Sequence, residues 1–298
     1  MTDLKTVTVT PVVESTFGLD GGAMFGIIPK PLWQRTNPAD ESNRITLATR
    51  CLVLSFDDRR VLIDGGMGDK WSAKDQSIYD LRHTAPAPSE GAPAAETRLR
   101  AALRASGVDP ESITDVLITH LHFDHVGGLT YRDGQGQLQA TFPKAAHHVQ
   151  RENWVWAHSP SLRDAGSYRA ENFSLFGTPT GPAFNLLDGV SKVWDAVEVI
   201  PTRGHTPGLQ MIRFQTATDM VLYVSDVIPT LGHLQLPYVM GYDLYPLTTV
   251  REKHETLENA VRHGWLIGFE HDPTCAFAHI ERAGTDRYRA LPSVESTD

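Results

Sequence analysis

Four side chains able to bind a metal fall within six residues of one another in Thr119-His120-Leu121-His122-Phe123-Asp124-His125-Val126-Gly127-Gly128. The run follows Asp115-Val116-Leu117-Ile118-Thr119, a short apolar segment that reads as a buried strand. A hydrophobic core cannot take three imidazoles and a carboxylate unpaired, because each would lose its water without compensation. Imidazole and carboxylate at this density suit zinc or a similar first-row ion. His120 and His122 alternate across one residue and can converge on one ion. Asp124 and His125 follow on a turning backbone and can serve a second. Taken alone, a buried histidine is usually a hydrogen-bonded core residue, and an aspartate after a strand is usually a turn residue. The joint pattern reverses that reading. Gly127-Gly128 are expected to let the chain turn sharply into the next element.

The same arrangement recurs along the chain. Val197 to Pro201 reads as a strand leading to Gly204-His205. Leu209 to Phe214 and Met220 to Val224 read as a hairpin whose second strand feeds Asp226. Trp265 to Phe269 is a last strand, delivering His271. Upstream, Thr46 to Phe56 and Arg60 to Ile63 form a hairpin about Asp57-Asp58, ending in the tight exit Asp64-Gly65-Gly66. Between them lie helical patterns over Glu96 to Ser106 and Thr248 to His263, the second with Val250, Leu257 and Val261 along one face. His254 is expected to face the core there. His147-His148 read as strand positions. Interleaved strands and helices indicate a layered α/β protein, and loops at strand ends are where a rigid scaffold presents chemistry.

The chain has 298 residues and a formal net charge of −9. That balance, with no block of Lys and Arg, argues against a nucleic-acid partner. No apolar run approaches the length of a membrane span. The N-terminus carries no leader pattern, so a cytoplasmic protein is expected. The Pro- and Ala-rich stretch from Ala85 to Ala95 is expected as an exposed loop, too short to divide two domains; residues 1–298 read as a single domain. Of two cysteines, Cys51 reads as a buried small hydrophobe and Cys275 follows a proposed ligand; nothing demands that they pair.

The run His120-Leu121-His122-Phe123-Asp124-His125 resembles the signature of the metallo-β-lactamase-fold hydrolases. The remaining pieces of that pattern are matched in order by Gly204-His205-Thr206-Pro207-Gly208, by Asp226, and by Glu270-His271-Asp272. The resemblance covers roughly residues 45 to 275. It implies an αββα sandwich, two mixed sheets flanked by helices, with the site at one edge. Carried over by position, His120, His122 and His205 would hold one ion, Asp124, His125 and His271 a second, and Asp226 would bridge them. The implied cofactors are two divalent cations, zinc first, with cobalt, manganese or iron as alternatives. A homodimer is compatible with the resemblance.

Residues 1–44 are expected to form a strand and a pocket-covering loop. Within them, Asp20-Gly21-Gly22-Ala23-Met24-Phe25-Gly26-Ile27-Ile28-Pro29-Lys30-Pro31-Leu32-Trp33 is similar to a segment of the YtnP-type quorum-quenching lactonases. Read from its residues, this is a Gly-hinged loop whose Met24, Phe25 and Ile28 suit an apolar pocket wall. The resemblance implies opening of N-acyl-homoserine lactones by a hydroxide bridging the two ions, with Asp124 relaying the proton. Many such lactonases carry a Tyr three residues after the bridging Asp. Here Pro229 stands there, and His233 is the first candidate to replace the phenol, ahead of Tyr238 and Tyr242. Rivals are a phosphotriesterase or arylesterase on the same site, a diiron redox protein, disfavoured because that branch carries Glu where His122 stands, and a non-catalytic metal-binding module.

Overall fold

The computed structural model describes residues 4–86 and 96–291. The stretch expected as an exposed loop, 85–95, therefore lies mostly outside the described residues. The first sheet contains β1 (Thr8–Asp20), β2 (Arg44–Phe56), β3 (Arg59–Ile63), β4 (Arg82–His83), β5 (Asp115–Leu117), β8 (Ala146–Gln150) and β9 (Phe184–Leu187). Their spatial order is β4-β1-β2-β3-β5-β8-β9. A separate hairpin is made by β6 (Thr130–Arg132) and β7 (Leu138–Ala140). The second sheet runs in chain order through β10 (Ser191–Trp194), β11 (Val197–Thr202), β12 (Leu209–Gln215), β13 (Met220–Tyr223), β14 (Leu266–Gly268), β15 (Phe277–Gly284) and β16 (Arg287–Ala290). Both sheets are mixed: β3-β5-β8-β9 and β13-β14 pair in parallel, the rest antiparallel.

Three apolar layers hold this arrangement. Between the sheets, Leu52, Leu54, Ile63 and Leu117 meet Val199, Ile212, Phe214 and Tyr223. On the far side of the first sheet, Val53, Leu62 and Val116 pack on Leu99, Ala102 and Leu103. Those three belong to the helix Arg98–Ala105, capped by the Thr97 hydroxyl accepting from the Arg100 amide. On the far side of the second sheet, Leu222, Ile267 and Ile280 cover Leu257 and Ala260 of the helix Pro246–His263. The layers are therefore helix, sheet, sheet, helix. Because both faces of β2 are covered, its apolar residues run nearly continuously rather than alternating.

Two local expectations are corrected. On the helix Pro246–His263 the charged side chain that turns inward is Lys253, beside the buried Thr249 and Thr256, and not His254. The His254 side chain is 44% exposed and faces Asp286, whereas the Lys253 ammonium is fully buried and donates to the carbonyls of His233, Gln235 and Tyr238 at 2.7–2.9 Å. One residue of helical phase, 100°, separates the two outcomes. The N-terminal segment is also more ordered than a hinged loop. It forms two short helices, Gly21–Phe25 and Lys30–Trp33, the first capped by Asp20 accepting from the Ala23 amide.

Candidate metal centre

Strands β3, β5, β11, β13 and β14 all end towards one edge of the sandwich, and the residues just beyond them converge. Asp64 follows β3, His120 follows β5, His205 follows β11, Asp226 follows β13 and His271 follows β14. Ligand atoms of His120, His122, His205 and Asp226 lie within 4.8 Å of one another, as do those of Asp124, His125 and His271. All seven side chains are buried. The Asp226 carboxylate sits between the groups, one oxygen 3.1 Å from His205 Nε2 and the other 2.9 Å from His271 Nε2.

Backbone geometry makes the convergence possible. A Cβ on Gly127 would stand 2.0 Å from the Met67 carbonyl oxygen, and one on Gly128 would stand 2.2 Å from that of Gly65. The glycine pair thus lets two backbones touch rather than supplying a left-handed turn, since Gly127 has φ −56°. The chain still turns tightly there, through a single turn of 3-10 helix over Gly127–Leu129 that leads into β6. Left-handed backbone appears instead at Asp64 (φ 57°) and Ser225 (φ 45°), conformations that cost non-glycine residues of order 1–3 kcal/mol. Hydrogen bonds offset this cost: Asp64 accepts from the Thr119 amide and hydroxyl, and the Ser225 hydroxyl reaches Glu270.

A second ring of groups aims the imidazoles. His205 Nδ1 lies 2.9 Å from Asp243, and His271 Nδ1 lies 2.8 Å from the Ala48 carbonyl. His125 Nδ1 lies 2.9 Å from Glu270 and 3.2 Å from Asp64. With Nδ1 engaged in this way, each of these three rings turns Nε2 to the centre, an arrangement typical of metal-ligating histidine. Sequence reasoning missed Asp243, Glu270 and Asp64. Only Asp64-Gly65-Gly66, a polar exit from a strand, and the adjacency of Glu270 to His271 offered any signal.

The electrostatics fit cations in the middle. Burial drives His120 and His122 well below the usual histidine range. Burial also opposes charge on His205 and His271, but Asp226 outweighs it, together with Asp243 at His205, and lifts them to about 10 and about 9. Ring nitrogens of His205 and His122 stand 3.1 Å apart, and those of His271 and His125 stand 3.3 Å apart. His120 Nε2 and His122 Nε2 are buried with no hydrogen-bond partner. Buried polar atoms are rarely left so, and divalent ions would satisfy these nitrogens and the surrounding carboxylates together.

The cluster opens into a cavity of about 280 Å³. Leu19, Met24, Leu47, Phe123 and Met240 form its apolar walls, and Tyr79, Arg163, Ser167 and Tyr242 add polar groups. Of the residues expected to bind substrate, Met24 reaches this cavity. Phe25 does not: it is buried, stacked between Trp33 and His233 at centroid distances of 5.4 and 4.2 Å. Ile28 packs at the edge of the same aromatic cluster, outside the cavity lining. His233 is fully buried, with Nδ1 2.8 Å from the Thr230 hydroxyl and Nε2 2.9 Å from the Met24 carbonyl. Burial holds it neutral, down to about 3. Both nitrogens are committed to the protein, so His233 supports the Met24 segment from beneath and offers no donor to a ligand. Cys51 and Cys275 are free thiols.

The chain resembles known proteins along most of its length. N-acyl homoserine lactonase AttM of Agrobacterium fabrum (strain C58 / ATCC 33970) is 28% identical over 185 residues, covering 61% of this chain and 66% of that protein. A Staphylococcus aureus protein described as a "probable metal-dependent hydrolase" superposes with a TM-score of 0.79 at 25% identity, over 98% of this chain and 99% of its own. AidC, a dizinc quorum-quenching lactonase, superposes with a TM-score of 0.75 over 98% of this chain and 96% of its own; at 16% identity this likeness concerns the fold. Residues 45–263 match the family described as the metallo-beta-lactamase superfamily, and with the layered fold this shows that the chain belongs to that superfamily.

Proposed function

We propose that this protein is a metal-dependent hydrolase that opens lactone rings, N-acyl-homoserine lactones foremost, using two divalent cations of which zinc is the expected metal. The observation that carries this reading is the meeting of seven buried metal-type side chains, two of their imidazole nitrogens unpartnered among the described residues, at a cavity with both apolar and polar walls. The name borne by AttM supports the substrate class. His120, His122 and His205 would hold one ion, Asp124, His125 and His271 the other, and Asp226 would reach both. Such a pair supplies Lewis-acid polarisation of an ester carbonyl and a nucleophile from water at neutral pH.

The remaining work falls to the chain itself. Leu19, Met24, Leu47 and Met240 offer an apolar wall for an acyl tail. Asp124 lines the cavity with its carboxylate 3.8 Å from His125 Nε2 and from His271 Nε2. It is therefore placed to accept a proton and pass it to the leaving oxygen. Asp243, Glu270 and Asp64 keep the imidazoles from rotating as charge changes at the centre.

The test is a hydrolysis panel on metal-quantified protein: acyl-homoserine lactones, simple lactones, aryl esters and aryl phosphotriesters. The acyl lactones should show the highest kcat/KM, chelation should abolish turnover, and His122→Ala should lose metal and rate together. Loaded protein that cleaves phosphotriesters and leaves lactones intact would overturn the substrate assignment; loaded protein inert on the whole panel would overturn the hydrolase.

A further inference from the structure

The cavity over the metal-type cluster is lined by two phenols whose hydroxyls no described residue engages. Of the eight tyrosines in the chain, Tyr79 and Tyr242 line it. Tyr168 lies edge-on to His122, but its hydroxyl is 2.7 Å from the Thr206 hydroxyl. Among the described residues neither the Tyr79 nor the Tyr242 hydroxyl has a hydrogen-bond partner.

The two differ in how firmly they are held. Tyr79 caps the helix Ala73–Ile78, and its carbonyl accepts from the Gly18 amide of β1 at 2.6 Å. Its ring packs against Trp71 at 5.3 Å and Phe123 at 5.5 Å. Phe123 immediately precedes Asp124, so this contact ties the tyrosine to the segment that carries Asp124, and both residues line the same cavity. Burial, with the Asp124 carboxylate adding to it, raises Tyr79 above the ordinary phenol value, which keeps the hydroxyl a donor at neutral pH. Tyr242 sits on a loop and is 38% exposed.

We propose that Tyr79 is a catalytic residue whose hydroxyl hydrogen-bonds the ester group of the substrate where negative charge develops, while Tyr242 is not the ester's donor. The inference rests on the hydrolase reading above. A preorganised donor aimed at a developing oxyanion is worth of order 10²–10³ in rate, and one phenol at the edge of an open cavity is expected at the low end or below, about 30-fold.

The experiment compares Tyr79→Phe and Tyr242→Phe with the parent protein at equal metal content. Phenylalanine keeps the ring against Trp71 and Phe123, so far-ultraviolet circular dichroism and the melting temperature should match the parent. Tyr79→Phe should lower kcat about 30-fold on an acyl lactone with KM within about 3-fold, and should weaken binding of the ring-opened N-acyl-homoserine about 10-fold by calorimetry. Tyr242→Phe should leave kcat within about 3-fold of the parent. Parent-like kcat in Tyr79→Phe, or a larger loss in Tyr242→Phe, overturns the assignment while leaving the hydrolase reading intact. If the parent turns over no ester at all, that reading falls separately, and calorimetry still decides the role of Tyr79: equal affinity in parent and variant overturns it.

Discussion

Removing the cations should cost this fold a measurable share of its thermal stability. Two pairs of ring nitrogens stand 3.1 and 3.3 Å apart at the cluster, and two further imidazole nitrogens have no partner among the described residues. The folded chain therefore presents a preformed site that the unfolded chain lacks, and each ion stabilises by mass action. At a free concentration about 1,000 times its dissociation constant, one ion contributes about 4 kcal/mol and two contribute about 8 kcal/mol. Unfolding entropy near the midpoint is about 2.1 cal/mol/K per residue. For 298 residues that gives about 0.6 kcal/mol/K, so about 6 °C in Tm per ion and about 13 °C for the pair. The assay is thermal unfolding by circular dichroism at one scan rate on chelator-treated, zinc-reloaded and untreated protein, with elemental analysis of each. A treated sample stripped of metal that melts within a degree of the reloaded one would refute the reasoning, because ions that bind at this cluster cannot leave Tm unmoved.

Three further outcomes follow from single residues. Asp243→Asn should weaken zinc at the site of His205 by 10- to 100-fold in a competition titration with a chromophoric chelator, because it disturbs the partner that fixes that ring 2.9 Å away; unchanged affinity would show that the contact does not orient the ligand. His147 is buried and held down to about 4 from an ordinary 6.5. As pH falls the unfolded chain takes the proton first, so this histidine's contribution is complete above pH 6.5 and is lost between 6.5 and 4, about 3 kcal/mol in all. His147→Leu should flatten that part of the urea-stability profile, and parallel profiles for parent and variant would refute it. Lys253→Met should destabilise by about 3 kcal/mol in urea unfolding, since three buried carbonyls lose their donor; stability within about 0.5 kcal/mol of the parent would show that water replaces the ammonium there.

What the sequence revealed and what it hid divide along a physical line. The residues that converge at the cluster were legible because imidazoles crowded behind apolar strands have few structural uses, and strands are found by local pattern. Interleaved strands and helices were legible for the same reason, whereas the αββα order of the layers came from the family resemblance. The groups around the converging residues were not legible. Asp243 is separated from His205 by 38 residues and Glu270 from His125 by 145, and an isolated carboxylate in a sequence looks like any surface carboxylate until folding buries it. Depth was equally hidden. Met24, Phe25 and His233 all belong to the layer beneath the cavity wall, yet only Met24 reaches its surface, because Phe25 turns inward to stack between Trp33 and His233. On the helix Pro246–His263 the error was one residue: a histidine was taken for core, when it is the neighbouring lysine that turns inward to three carbonyls of an irregular loop. Tyr79 shows the limit most plainly. Nothing in its sequence neighbours Ser77, Ile78 and Asp80 singles it out, and it comes to line the cavity only where its ring packs on Trp71 and Phe123. Atoms that bind metals declare themselves by type, whereas atoms that bind a substrate are selected by direction, and direction exists only after the sheets have packed.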